Sequence, residues 1–218
     1  STSYIDNATS TGTTYYYRVS GSSSAGVGNQ SSTSSGILTA PAAPANLSAS
    51  VPESGGSSKI SLSWSAASSA TSYSVYRSTS LNGTYSSSGT TSSTSYTVTG
   101  LSANTTYFFK VAASNSGGTG AKSSGQSTTT LRSAPSSFTA SGISSSEIQL
   151  TWNLYSNANA YKIYRGGSLI STVTGGTTYQ DSGLTTATSY NYTLTAIVSG
   201  TETDQASATG NTTVATPG

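Results

Sequence analysis

An all-β fold made of repeated antiparallel sheet units is what this sequence predicts, on three observations. In the stretch Ser92–Asn115, Tyr96 and Val98 alternate with small polar residues, and Tyr107, Phe109, Val111 and Ala113 then follow at period two. That alternation is the pattern of half-buried strands, one face inward and one toward water. Leu101 and Tyr107 flank a tight corner between the two runs. Their spacing fits a tyrosine corner, in which a Tyr ring folds under the preceding turn and its hydroxyl bonds back to the main chain. The same strand-corner-strand unit recurs at Tyr4–Val19 and Tyr179–Leu194, with corner tyrosines Tyr15, Tyr107 and Tyr190 lying 92 and 83 residues apart. Self-similarity at a near-constant period marks an array.

Composition supports folded sheet over disorder. Ser and Thr make up roughly two fifths of the 218 residues, but 15 Tyr, 3 Phe and 2 Trp at strand spacing supply the apolar area that a disordered linker lacks. Charged residues are 6% and the formal net charge is +2. With no basic stripe or acidic tail, nucleic acid and anionic membranes are not expected partners. The chain has no Cys, hence no disulfide framework or thiol chemistry, and no apolar run long enough for a membrane span. It opens Ser1-Thr-Ser, without Met or a leader-like segment, and is expected to be a mature or excised piece. A surface poor in titrating groups responds little to pH or salt, which suits an extracellular setting.

Taken in order, residues 1–40 hold one strand-corner-strand copy and an expected closing strand over 29–38. Thr39-Ala-Pro41-Ala-Ala-Pro44 reads as a linker, since proline cannot donate to a ladder. A complete unit over 41–132 is expected to place strand A at 44–51, B at 59–64 (Ile60, Leu62 and Trp64 inward) and C at 72–77. The Asn82-Gly83 turn precedes an expected edge strand near 84–87. Strands E and F form the stretch described first, and 126–131 is expected to be strand G. Arg132-Ser-Ala-Pro135 repeats the linker. A second complete unit over 133–218 follows, with Phe138 for Leu47, Ile148, Leu150 and Trp152 for Ile60, Leu62 and Trp64, and Tyr161–Arg165 for Tyr73–Arg77. The two Trp are 88 residues apart.

The leading Pro, the strand-B Trp, the Tyr-x-Val-Tyr-Arg of strand C and the Leu/Tyr corner before strand F resemble the fibronectin type III family, in the form found in secreted prokaryotic surface proteins. The resemblance implies seven-stranded antiparallel sandwiches of immunoglobulin-like type, used as spacers, adhesive modules or assembly modules. It carries no catalytic centre, and an Arg-Gly-Asp run is absent. Residues 1–40 match only strands E, F and G, and Ala8 stands near the corner Leu position, which is expected to weaken that copy.

Strands E, F and G alone make no sandwich, so Tyr15, Tyr17 and Val19 are expected to face an unfilled side. An open edge of this kind recruits other chains. Two expectations follow: the chain begins inside a longer array, or a neighbouring molecule completes the fold by strand donation. Short Pro-containing linkers are expected to favour a stiff, extended rod.

Reactive chemistry is sparse. There is no His, which removes Ser-His-Asp, Cys-His and imidazole-metal arrangements. The acids are Asp6, Glu53, Glu147, Asp181, Glu202 and Asp204. Glu53, Glu147, Asp6 and Asp181 read as solvated strand ends, with Asp6 and Asp181 repeat-equivalent, and no pair is placed for glycoside hydrolysis. Glu202 and Asp204 share a hairpin, a poor Ca²⁺ site without further oxygens. No catalytic residue, metal ligand or cofactor is predicted. Gly117-Gly-Thr-Gly120 falls between strands F and G and reads as a hairpin loop.

Strand parity turns Tyr76 and Phe108 outward on one sheet face, with Tyr164 and Tyr16 as their repeats. Such aromatics stack on sugars, seat a neighbouring subunit or pair across strands. Seven Asn-x-Ser/Thr sequons occur, and the turn residues Asn82 and Asn104 are the best glycan acceptors among them. The functional expectation is a non-catalytic stalk, adhesin or filament subunit at the cell surface, meeting copies of itself or neighbouring domains through sheet edges and neutral faces. The alternative is an accessory spacer or carbohydrate-contacting module of a secreted polysaccharide-degrading enzyme.

Overall fold

The computed structural model describes residues 2–214. Every regular element among them is a strand. Backbone proximity groups the chain into two compact units. The first runs to Ser50 and adds Ser61–Val98 and Tyr107–Thr128; the second holds Val51–Ile60, Thr99–Thr106 and Thr129 onward.

In the first unit, β1 (Thr14–Tyr15), β2 (Ser22–Ser23), β3 (Gly26–Val27) and β4 (Ile37–Leu38) form two small antiparallel pairs, β1 with β4 and β2 with β3. The strand expected over 29–38 is regular only at its last two residues. Hydroxyls cause the interruption. Ser31 and Ser34 donate their N–H groups to the carbonyls of Val19 (2.7 Å) and Tyr17 (2.8 Å). Their own Oγ atoms accept the N–H of Val19 (3.1 Å) and of Tyr17 (2.9 Å). Side chains here take the acceptor role that a ladder gives to carbonyls.

The next elements are β5 (Ser48–Ser50), β6 (Ile60–Ser63), β7 (Ser72–Ser78), β8 (Ser86–Thr91), β9 (Ser95–Val98), β10 (Thr106–Asn115), β11 (Gly118–Lys122) and β12 (Gln126–Thr129). One sheet runs β5-β6-β9 and the other β11-β10-β7-β8, with β12 also on β10. Inward residues of both sheets are buried, among them Leu62, Trp64, Tyr73, Val75, Val98, Phe109 and Val111. The rings of Trp64 and Tyr73 meet edge-on at 5.4 Å across the sandwich.

Two expectations are corrected. The edge strand lies at Ser86–Thr91 rather than 84–87. Strand G is regular over Gln126–Thr129 of the expected 126–131, and an unforeseen strand, β11, precedes it; between them buried Ser123 turns inward, its N–H donating to the Val111 carbonyl (2.8 Å) and its Oγ accepting the Val111 N–H (3.0 Å). The glycine run is not a slack loop either. Asn115 pairs Gly118, leaving a two-residue turn, and Gly118 and Gly120 lie in β11. A Cβ at Gly117 would strike the Leu38 carbonyl and one at Gly120 the Pro41 carbonyl, so the glycines admit the linker backbone.

The remaining elements are β13 (Thr139–Gly142), β14 (Glu147–Thr151), β15 (Ala160–Arg165), β16 (Ser168–Val173), β17 (Thr178–Ser182), β18 (Ser189–Val198), β19 (Thr201–Glu202) and β20 (Ala206–Asn211). Sheet β13-β14-β17 packs on β16-β15-β18-β19, with β20 also on β18. Their shared core holds Ile148, Leu150, Trp152, Tyr161, Ile163, Leu184, Tyr192, Leu194 and Ala196. Ile148, Leu150, Ile163 and Leu194 are fully buried. Each such side chain contributes about 1.5–3 kcal/mol relative to exposure.

Candidate functional site

The corners are latched by the corner tyrosines and by threonines that the sequence pattern did not single out. The Tyr15 hydroxyl accepts the Ser10 N–H at 2.7 Å, and the Tyr190 hydroxyl accepts the Thr185 N–H at 2.9 Å. The copy with Ala8 near the Leu position thus keeps its corner bond. A threonine at the end of the closing strand then binds the corner three ways. Thr39, Thr130 and Thr212 donate Oγ1–H to the carbonyls of Ser10 (2.7 Å), Ser102 (2.7 Å) and Thr185 (2.6 Å). The same Oγ1 atoms accept the N–H of Thr13, Thr105 and Thr188, each at 3.0 Å. Their N–H groups donate to the carbonyls of Thr13, Thr105 and Thr188, each at 3.0 Å. The detectable signal is a Thr recurring at the array period, at positions 39, 130 and 212.

Behind the corner sits a carboxylate. In the second unit Asp181, 5% exposed, takes two bonds from Arg165 Nη1 (2.8 and 2.7 Å) and one from the Tyr192 hydroxyl (2.7 Å). The Asp181 contact holds the Arg165 guanidinium pKa up. Burial first, and the Asp181 carboxylate second, push the Tyr192 phenol well above its usual value. Residues 4–39 repeat this without the arginine. The Tyr17 hydroxyl donates to Asp6 at 3.2 Å, and Asp6 also accepts the Ala8 N–H at 2.9 Å. Partial burial and the Asp6 contact raise the Tyr17 pKa.

The predicted open-edge residues converge here. Tyr17 lies half-buried against Tyr15, ring centroids 6.4 Å apart, while Val19 is 72% exposed. Together with Tyr4, Asp6, Ile37 and Thr39, Tyr17 and Val19 line a groove of about 710 Å³.

The acids expected at solvated strand ends and in the hairpin loop are not all exposed. Asp181 and Asp204 are buried, because each is ringed by donors. Asp204 accepts the N–H of Gly55 (3.0 Å), Ser57 (3.1 Å) and Gln205 (2.9 Å) and the Ser57 hydroxyl (2.6 Å), and its own N–H donates to the Arg132 carbonyl (2.9 Å). All of these residues belong to the second unit. Burial works to raise the Asp204 pKa; the Ser57, Gln205 and Gly55 donors outweigh it and hold the carboxyl below its ordinary value. Glu202, where burial is likewise outweighed, pairs with Lys162 and accepts from Thr195 (2.9 Å) and Tyr164 (3.3 Å). Among the described residues no three of His, Cys, Asp and Glu gather to hold a metal ion.

The outward aromatics are differently placed. Tyr76 pairs with Lys110, two residues from Phe108, so both share a sheet face and both are half-buried. The Lys122 ammonium lies 4.1 Å from the Tyr76 ring centroid, a cation–π contact that occupies the ring face. Tyr164 is half-buried, its hydroxyl turned to Glu202. Tyr16 is 65% exposed. Asn82 and Asn104 are exposed, and Asn104 sits in a left-handed turn conformation (φ 50°).

Paired antiparallel sheets with latched tyrosine corners define a tandem β-sandwich of immunoglobulin-like type. Residues 42–130 match the family model of the fibronectin type III domain, and that segment belongs to the family. Beyond it, the chain is 32% identical over 243 aligned residues to exoglucanase B of Cellulomonas fimi, covering 99% of this chain and 22% of that protein. It is 40% identical over 73 residues to poly(3-hydroxybutyrate) depolymerase of Ralstonia pickettii, covering 34% of this chain and 15% of the depolymerase. It is also 40% identical over 89 residues to chitinase 63 of Streptomyces plicatus, covering 39% and 14%. The chain thus spans less than a quarter of the length of these relatives. Among the described residues no helix is long and apolar enough to cross a membrane.

Proposed function

We propose that this chain is a non-catalytic structural array of an extracellular protein, a stalk, adhesin or filament module that meets copies of itself or neighbouring domains through sheet edges and neutral faces. One observation carries the reading: three of its six acids are engaged in holding the fold. Asp181, Glu202 and Asp204 are each bound to donors of the chain itself. The surface left over is hydroxyl-rich and nearly uncharged. In this reading residues 1–40 are the E–F–G part of a sandwich, and 41–132 and 133–218 are complete ones. Asn82 and Asn104 are its glycan acceptors.

A second reading is favoured by the relatives, whose names describe an exoglucanase, a depolymerase and a chitinase. Here the chain is an accessory spacer, or a carbohydrate-contacting module, of a secreted polysaccharide-degrading enzyme whose catalytic domain lies outside these residues. Exposed Tyr16 then offers the ring most open to sugar stacking, since Lys122 lies over Tyr76. Sedimentation and negative-stain imaging test the first reading: oligomers or regular fibres are expected. Pull-down on insoluble cellulose and chitin tests the second. A monomer retained on polymer, and released by Tyr16→Ala, would replace the first reading with the second.

A further inference from the structure

We infer that a groove in the second unit is a binding site for a neutral glycan chain, with Tyr164 as its stacking ring. The site rests on the carbohydrate-contacting reading above and gives that reading a place. It stands out when one outward tyrosine is followed through two repeats.

In the first unit Tyr76 is closed off by its own chain. Edge strand β11 places the Lys122 ammonium 4.1 Å from the ring centroid, and Lys110 stands opposite Tyr76 on β10. Tyr164 holds the matching position in the second unit, where Thr193 stands opposite it on β18 and edge strand β19 supplies Glu202. Neither lysine is repeated. Glu202 accepts from the Tyr164 hydroxyl (3.3 Å) and the Thr195 hydroxyl (2.9 Å) and pairs with the Lys162 ammonium. With Lys162 held by that carboxylate, no cation lies over the Tyr164 ring among the described residues. A groove of about 590 Å³ opens beside the ring, within the range of roughly 300–1,000 Å³ that holds small ligands. All of its lining residues belong to the second unit. Thr193, Thr201, Gln205 and Glu53 are among them. Gln205 spends its main-chain N–H on Asp204, but its side-chain amide bonds nothing among the described residues. The Thr193 and Thr201 hydroxyls and the Glu53 carboxylate are likewise left to the groove.

The ligand class follows from these groups. A pyranose ring has two C–H faces and a belt of hydroxyls, and an aromatic ring beside hydroxyl, amide and carboxylate groups matches that outline. Glu53 and Glu202 are the charged residues of the lining, which disfavours uronate, sulfate or phosphate polymers. Exposure favours Tyr16 as a stacking ring, whereas Tyr164 has unspent hydroxyl and amide groups converging beside it. Titration calorimetry of the full chain with cellohexaose and with chitohexaose is the test, beside retention on insoluble cellulose and chitin. One site per chain is expected for at least one of the two saccharides. Its affinity should fall about tenfold or more with Tyr164→Ala and about threefold or more with Gln205→Ala, and hold with Tyr16→Ala. Gln205 is exposed, so its variant keeps the test independent of any folding defect in Tyr164→Ala. Binding lost with Tyr16→Ala and indifferent to both groove variants would overturn the groove and leave the carbohydrate-contacting reading standing. No heat up to about 10 mM saccharide, together with no retention on either polymer, would overturn both. Tighter binding of a hexauronate than of the neutral saccharides would overturn the ligand class.

Discussion

Asp181 and Val98 occupy the same place in two repeats, and their partners Tyr192 and Phe109 change with them. The pair can be polar or apolar, but a mixture strands a group. Asp181→Val alone leaves the buried Tyr192 hydroxyl without its acceptor, and is expected to destabilise by about 1–3 kcal/mol. Adding Tyr192→Phe is expected to recover much of that loss, because Arg165, about a third exposed, can turn to water. Urea titration of the single and double variants checks the sign. Asp204 poses the opposite case, a buried carboxylate whose donors are mostly backbone. Asp204→Ala orphans several of them and is expected to cost about 2–4 kcal/mol at neutral pH. Its folded pKa is depressed, so the stability it contributes is present above the unfolded value of about 3.9 and is lost as pH falls through the folded value. The difference between wild type and Asp204→Ala in urea should therefore shrink below about pH 4.

At the scale of elements, hydroxyls replace part of the sheet ladder. Thr212 bridges the Thr188 N–H and the Thr185 carbonyl while 5% exposed. Thr212→Val keeps the shape and removes both bonds, with an expected loss of about 1–3 kcal/mol, against about 0.5–1.5 kcal/mol for Tyr190→Phe, which frees only the Thr185 N–H. Comparing the two in denaturant tests which member dominates the corner. The β10–β11 hairpin makes a different demand. Gly120→Val would set a side chain against the Pro41 carbonyl, displacing residues 38–41 at about 1–3 kcal/mol. Hydrogen exchange should then quicken at the Thr39 N–H, which donates to Thr13.

For the molecule as a whole, the absence of His leaves a wide titration gap between carboxylates and phenols. Thermal stability is expected to stay flat from about pH 5 to pH 9 by scanning calorimetry. On the alkaline side Tyr192 sets part of the slope. Its folded pKa is raised, so its contribution holds below the unfolded value of about 10 and falls away as pH rises beyond it. Tyr192→Phe should flatten that limb. The array was legible because period-two alternation and a fixed Tyr spacing survive in any strand-corner-strand unit: Ile60, Leu62, Trp64 and their repeats are buried where parity put them. The candidate sites were less legible. Lys122 over Tyr76 and Asp204 on Ser57 join residues 46 and 147 positions apart, and no local pattern encodes such pairs.

What the amino-acid order settled by itself was the all-β class, the repeat and the inward face of each strand, since these depend on neighbours one or two residues away. Tertiary structure decided which acids are buried, which hydroxyls act as ladder acceptors and which glycines admit a linker. Those outcomes turn on close approach between distant segments, where a few tenths of an ångström separate a hydrogen bond from a clash.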